Sequence, residues 1–440
     1  MLEWRTVVRA MTRGRLFFGS SALLLVLMLA APARAAPGDQ LWASTHGAKF
    51  GGDIAVAVDD DGARVFATGG FAHCYYTYCY DYQTTAYDAA TGAELWTKVY
   101  NSAGGHQTGG QDVPAAIAVA PNGRRVFVTG YSATDFATVA YRADTGARLW
   151  VRRYESKRYE GAVAIGVAPD GRRVYVTGTS KGDFATIAYR ATTGAVVWTR
   201  RLGHARENDW ATALAVAPRG NRVIATGFTS TAEAGNDFTT VAYGARSGRA
   251  LWVRRFAGAG SSDDRPVGVA IGPGGKEIVL AGTTMAPAGD TAAYLTIAYR
   301  ADGHASWTRR YGAAEDNDRA AGLAMGPRGA WIAVTGTSHV PGSGTHDDDA
   351  TVVYDATNGA TRWVSRFDQA SGVESAAAVA TSLDGSKIFV TGWPGTIAYA
   401  RRAGGQLWAS TVWSGADVVA HGTRVFTAGP GGTTVAYATA

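Results

Sequence analysis

The side chains with the most capacity for chemistry in this 440-residue chain are carboxylates that recur in register. Asp112, Glu160, Asp209, Asp264, Asp318 and Glu374 each stand eighteen residues before a glycine (Gly130, Gly178, Gly227, Gly282, Gly336, Gly392). Asp81, Asp135, Asp183, Asp237 and Asp348 each stand six residues before a tyrosine. Hard oxygens in such sets can hold Ca²⁺, or draw a cationic ligand through a focused potential. They can equally accept backbone N–H bonds beside turns and tie neighbouring segments together. The first set is therefore a candidate ligand-binding ring, with a structural role as the alternative. The acidic runs Glu315–Asp318 and Asp347–Asp349 match no EF-hand spacing.

The stretch Phe71–Tyr82, FAHCYYTYCYDY, has no counterpart elsewhere in the chain. Tyr75, Tyr76, Tyr78 and Tyr80 offer rigid aromatic surface of the kind that binds a glycan or a protein loop at low entropic cost. The alternative is that these rings cap a hydrophobic end. Cys74 and Cys79 are the only two cysteines. An oxidising compartment would join them in a disulfide closing this small loop. Nucleophilic triads, HExxH spacing and convergent zinc ligands are not apparent, and no catalytic residue is assigned. Glycine-rich 104–110 reads as a loop between strands rather than a phosphate cradle.

The elements that position these residues repeat. A tyrosine recurs at 87, 141, 189, 243, 299, 354, 399 and 437, and a tryptophan at 42, 96, 150, 198, 252, 307, 363 and 408. Tryptophans spaced by roughly 45–56 residues are the signature of a propeller. Residues 115–154 show one unit. AAIAVAP is a first strand, Asn122-Gly123 a hairpin turn, RRVFVTG a second strand, FATVAYR a third, and ARLWVRRY a fourth after the turn at Asp144-Thr145-Gly146. Small residues suit an innermost strand. The Arg-Arg pairs of the fourth strands suit an exposed outer edge, where charge discourages edge-to-edge pairing. The loops before the first and third strands lie at the same end of a blade, so both carboxylate sets and the aromatic stretch share one face.

A fourth-strand fragment, Gln40–Ser44, precedes the first complete repeat, and the chain closes on first, second and third strands without a fourth. The expected fold is all-β: an eight-bladed propeller of four-stranded antiparallel blades, closed by the N-terminal outer strand joining the C-terminal blade. Residues 1–35 read as a signal peptide. Four arginines precede the apolar run Leu16–Ala31, and Ala33-Arg34-Ala35 supplies a cleavage site. An uncleaved anchor is the alternative, although about 16 apolar residues is short for spanning. Residues 36–440 form the single propeller domain. Removing residues 1–35 takes away five basic residues and one acidic, leaving 37 against 35, a net of +2. No nucleic-acid partner follows from that balance.

The segment Ala-Tyr-x-x-x-Thr-Gly-x-x-x-Trp, as in residues 140–150, resembles the tryptophan-docking repeat of the PQQ-like (quinoprotein-type) β-propellers. The preceding Asp-Gly or Asn-Gly hairpin and Val-Thr-Gly strand also resemble repeats of secreted bacterial propellers. The resemblance implies that Trp96, Trp150, Trp198, Trp252, Trp363 and Trp408 pack on glycine-containing turns of neighbouring blades. Quinoprotein dehydrogenases of the family hold their quinone under two adjacent, disulfide-linked cysteines. Here four residues separate Cys74 from Cys79, and no CxxCH haem motif occurs. Pyrroloquinoline quinone is accordingly not expected; Ca²⁺ remains open. The reading is a secreted or cell-envelope monomer that binds a protein or glycan through its loop-bearing acidic face, with no membrane span after signal cleavage. The alternative is a divergent quinoprotein dehydrogenase or a Ca²⁺-dependent glycan-acting enzyme using the axial pocket.

Overall fold

Runs such as Arg125–Ser132 and Asp135–Arg142 carry β-branched and aromatic residues and are almost wholly buried. That composition suits the middle strands of a sheet covered on both faces by neighbouring sheets. In a computed structural model these runs assemble into eight four-stranded antiparallel sheets, within a single unit that covers residues 35–440. The structure describes residues 35–45, 53–72, 80–102, 111–154, 160–203, 209–231, 235–258, 263–285, 291–312, 317–339, 347–368 and 374–439. The expected signal peptide lies outside them. Blades 1 to 7 take residues 53–100, 112–154, 160–202, 209–256, 265–311, 319–367 and 375–410 in order. Blade 8 takes its inner three strands from 417–438 and its outer strand from Gln40–Thr45.

The inner strand of each of blades 1 to 7 carries a bulge. In blade 3 the register shifts between Ala162 and Ala164. Opposite it, Gly178 lies so close that a Cβ would strike the carbonyl oxygen of Gly161. This explains the glycine that ends the second strand in blades 2 to 7: the bulged backbone leaves no room for a side chain there.

The blades lock together through the repeat tryptophans. Trp96 donates from Nε1 to the carbonyl of Ala143 in the next blade, at 3.0 Å. Its ring lies between Phe66 and Tyr141, at 5.9 and 6.0 Å between centroids. Gly146, at φ +66°, covers its face, and a Cβ there would sit 2.7 Å from the indole. The same donation runs from Trp42 to Ala89, Trp150 to Ala191, Trp198 to Ala245, Trp252 to Ala301, Trp307 to Ala356 and Trp363 to Arg401. Only glycine adopts that φ without strain while lying flat on a ring.

Ring closure reproduces the glycine-on-indole part of this contact without a continuous turn. Gln40 faces Tyr437 and Trp42 faces Ala436 across the last blade. Gly38, at φ +86°, covers Trp408 as Gly146 covers Trp96. Gly38 N–H donates to the carbonyl of Ala438 at 2.9 Å, and Ala438 N–H returns a bond to Asp39. Between the inner strands of blades 8 and 1, Val56 N–H donates to Asp417 at 2.9 Å. Burial pushes the Asp417 carboxyl up to about 6, against the bonds from Val56 and Val418 that favour its charge.

Gly38→Val therefore combines left-handed strain with a methyl driven into the Trp408 ring, and costs about 3 kcal/mol. Its urea midpoint falls. Gly274→Ala, where a Cβ meets nothing within 4 Å, stays within about 0.5 kcal/mol of the parent.

Candidate functional site

The structure places the first carboxylate set on the expected face, at the head of each inner strand. Asp112 and Asp209 begin their strands, and Asp264, Asp318 and Glu374 stand one residue before theirs. All five are buried. Glu160 opens its strand opposite Ser180. The backbone N–H groups of Asp209, Asp264, Asp318 and Glu374 donate to the carbonyls of Gly182, Asn236, Ala292 and Asp347, each in the preceding blade. The side chains accept amides in turn. Asp112 takes Ser102 N–H at 2.6 Å, Asp264 takes Gly258 N–H at 2.6 Å, and Asp318 takes His339 N–H at 3.0 Å. These carboxylates lie inside the blade junctions, where an amide without an acceptor would cost about 1–3 kcal/mol. They do not form an open acidic rim.

The second set heads the third strands and meets the fourth strands of the same blades. Arg153 binds Asp135 at 2.7 Å, Arg201 binds Asp183 at 2.8 Å, and Arg366 lies 3.8 Å from Asp348. Asp81 accepts from Asn101 at 3.3 Å. The other arginine of each outer-strand pair reaches forward. Arg152 donates to the carbonyls of Gly194 and Thr193, and Arg200 to those of Gly248 and Ser247, in the next blade. The Arg-Arg pairs thus clamp blades as well as charging an edge. A sequence signal for this existed: Asp135–Arg153, Asp183–Arg201, Asp237–Arg255 and Asp348–Arg366 share a step of eighteen residues.

The two sets converge between blades 6 and 7. Oxygens of Asp348, Asp368 and Glu374 lie within 4.8 Å of one another, with Asp348 and Glu374 buried and Asp368 exposed. An all-oxygen set of this kind suits a hard cation such as Ca²⁺. Asp349 stands beside it. Burial above all, then the charges of Glu374 and Asp348, push its carboxyl up to about 8, against a hydrogen bond from the Ala376 backbone. Reading Asp347–Asp349 against EF-hand spacing missed this, because the third ligand comes from the neighbouring blade.

Of the aromatic stretch, Tyr80 is half-buried and pairs with Ala72 where the strands begin. Tyr82 is fully buried and packs edge-on against Tyr100 at 5.3 Å. Tyr75, Tyr76, Tyr78 and the expected Cys74–Cys79 disulfide lie outside the described residues.

Comparison with known proteins places residues 30–309 in the family described as outer membrane protein assembly factor BamB. Among solved structures, BamB from Moraxella catarrhalis superposes with a TM-score of 0.57 at 13% identity, covering 91% of this chain and 99% of that one. Quinohemoprotein alcohol dehydrogenase from Comamonas testosteroni superposes with a TM-score of 0.60 at 12% identity, covering 91% and 76%. Kuenenia stuttgartiensis hydrazine synthase gives 0.55 at 15% identity, covering 84% and 98%. No curated protein sequence matches the chain. At these identities the structures share the fold alone. Asp112 and Asp264 accept backbone amides and Asp135 pairs with an arginine, while the two cysteines are not adjacent in sequence.

Asp349 gives a pH signature. The folded chain keeps its proton up to about pH 8, while the unfolded chain loses it near the ordinary value of about 3.9. Across that window the folded state binds more protons, so this group's contribution to stability is full below it and declines as pH rises through it. Asp349→Asn flattens the decline. Denaturant titrations at pH 5 and pH 8 show a smaller difference for the variant than for the parent.

Proposed function

The chain belongs to the BamB family of PQQ-like propellers, and from that premise we propose that it is an extracytoplasmic binding scaffold whose ligand, a protein or a glycan, docks on the face bearing the hairpins between second and third strands. One observation carries this reading. The frame is uniform, and those hairpins are not. In blades 2 and 3 the ladder runs out to Ser132–Asp135 and Ser180–Asp183, leaving two-residue turns. In blades 1, 4, 5 and 6 it ends at Ala72–Tyr80, Thr231–Gly235, Met285–Ala292 and His339–Asp347, leaving three to seven residues beyond the last pair. Loops of varied length on a rigid repeat are where binding specificity is carried. The blade 1 hairpin adds the tyrosines at 75, 76, 78 and 80, large rigid rings suited to stacking on a sugar or a peptide.

BamB is described as an assembly factor for outer membrane proteins, which favours a protein ligand over a glycan for this chain. No helix among the described residues is long and apolar enough to cross a membrane. The acidic convergence of Asp348, Asp368 and Glu374 is the feature that favours a second reading, a Ca²⁺-dependent activity on the same face.

The test removes the blade 1 loop and keeps its stem. Residues 73–79 are replaced by a two-residue turn joining Ala72 to Tyr80. The trimmed chain melts within a few degrees of the parent but no longer captures its partner from a cell-envelope extract after cross-linking. Capture of the same partner by the trimmed chain removes the basis of the proposal. Uptake of quinone with reduction of an artificial electron acceptor would establish the enzymatic reading instead.

A further inference from the structure

The opposite face carries the hairpins between first and second and between third and fourth strands. It holds an arrangement that the frame does not require. Where the second and third strands meet this face, Arg125 stands directly opposite Arg142 in blade 2, and Arg173 directly opposite Arg190 in blade 3. Like charges in facing positions of an antiparallel pair are destabilising. Other blades avoid the clash at the same register: Arg64 faces Asp88 in blade 1, Glu277 faces Arg300 in blade 5, and Trp331 faces Asp355 in blade 6. The repeat thus tolerates an acid or a neutral residue there, and two consecutive blades carry arginine twice.

Each pair lines a cleft. The first, about 460 Å³, lies between blades 1 and 2 and adds Arg64 and Arg124 to Arg125 and Arg142. The second, about 210 Å³, is lined by Arg172, Arg173 and Arg190. A third, about 240 Å³, follows in blade 4 between Arg219 and Arg246. Two of these arginines are neutralised: Arg142 by exposed Asp144 at 2.6 Å and Arg64 by Asp59 at 2.8 Å. Among the described residues, Arg124, Arg125, Arg172, Arg173, Arg190, Arg219 and Arg246 make no ion pair.

We propose that these three clefts form one arc that binds a linear phosphate-bearing polymer along blades 2, 3 and 4. Paired guanidinium groups match phosphate oxygens geometrically as well as in charge. A polymer places an anion in each cleft in turn, which a single small anion cannot do. A lipid surface fits less well. The turn tips around the clefts, Asn122-Gly123, Asp144-Thr145-Gly146, Thr192-Thr193-Gly194 and Arg246-Ser247-Gly248, are polar, and the apolar side chains lining the clefts, Leu149 and Val197, sit on the outer strands rather than at the tips. This surface is separate from the face of the proposed scaffold function, and either can stand without the other.

The test uses the chain from residue 36 onward with long-chain inorganic polyphosphate, inorganic phosphate, and vesicles of phosphatidylglycerol in phosphatidylcholine. The variant Arg142→Asp/Arg190→Asp installs the pairing that blade 1 already uses, so its stability without ligand is retained or raised. Its affinity for polyphosphate falls by roughly tenfold or more at low salt, and the slope of log affinity against log salt becomes shallower by about 2. Arg142→Lys/Arg190→Lys retains most of the binding. Arg402→Ser, on an exposed turn of blade 7, leaves affinity unchanged. Binding of parent and aspartate variant with equal affinity overturns the proposal, as does absence of polyphosphate binding at low salt. Binding to the vesicles in place of the polymer also overturns it, and would assign the arc to a membrane surface.

Discussion

Everything in this molecule depends on a tryptophan lying flat beneath a glycine of the next blade. A four-stranded sheet has two large faces and cannot bury either alone. The indole supplies apolar area for the joint, its N–H satisfies a carbonyl that would otherwise be orphaned, and the left-handed glycine removes the only atom that would hold the surfaces apart. Seven blades receive this contact through a continuous turn. The last receives it from Gly38, which belongs to the other end of the domain. The ring closes because a residue with no covalent turn to the third strand of that blade reproduces the shape of the turn, and the backbone bonds of Gly38 and Asp39 to Ala438 fix the register.

The sequence allowed the architecture to be read almost completely, for a physical reason. Tryptophan, tyrosine and turn glycine each satisfy a requirement that every blade has, so each leaves a periodic trace. The orphan fourth strand at Gln40–Thr45 and the missing one after Tyr437 were legible together because the count balances only if they join. The carboxylates were legible in position but not in environment. Periodicity reports that Asp112 or Asp264 recurs; it does not report that the side chain turns inward to backbone amides. The outer arginines were misread in part, because a linear inspection treats Arg152-Arg153 as one charged patch. Alternation along a strand sends the two guanidinium groups to different blades. The meeting of Asp348, Asp368 and Glu374 was invisible, since it depends on a contact between blades.

Departures from the repeat show where this protein differs from a bare frame. The long hairpins of blades 1, 4, 5 and 6 stand on one face and the facing arginines of blades 2 and 3 on the other. The aromatic stretch divides accordingly. Tyr82 is absorbed into the packing of blade 1 against blade 2, and Tyr80 pairs with Ala72 at the end of the ladder.

The way the last sheet is assembled constrains the order in which the protein can be made. Gln40–Thr45 is the first strand of the domain to be synthesised, and its hydrogen-bonding partner, Thr433–Ala438, is the last. Nearly the whole polypeptide must emerge before that pairing can form, and the loop it closes is as long as the domain allows. Throughout that interval the opening segment keeps a bare edge ready to pair with any strand within reach, including the equivalent segment of another nascent molecule. The contact that completes the finished ring is thus also the point at which one copy is most exposed to exchanging strands with the next.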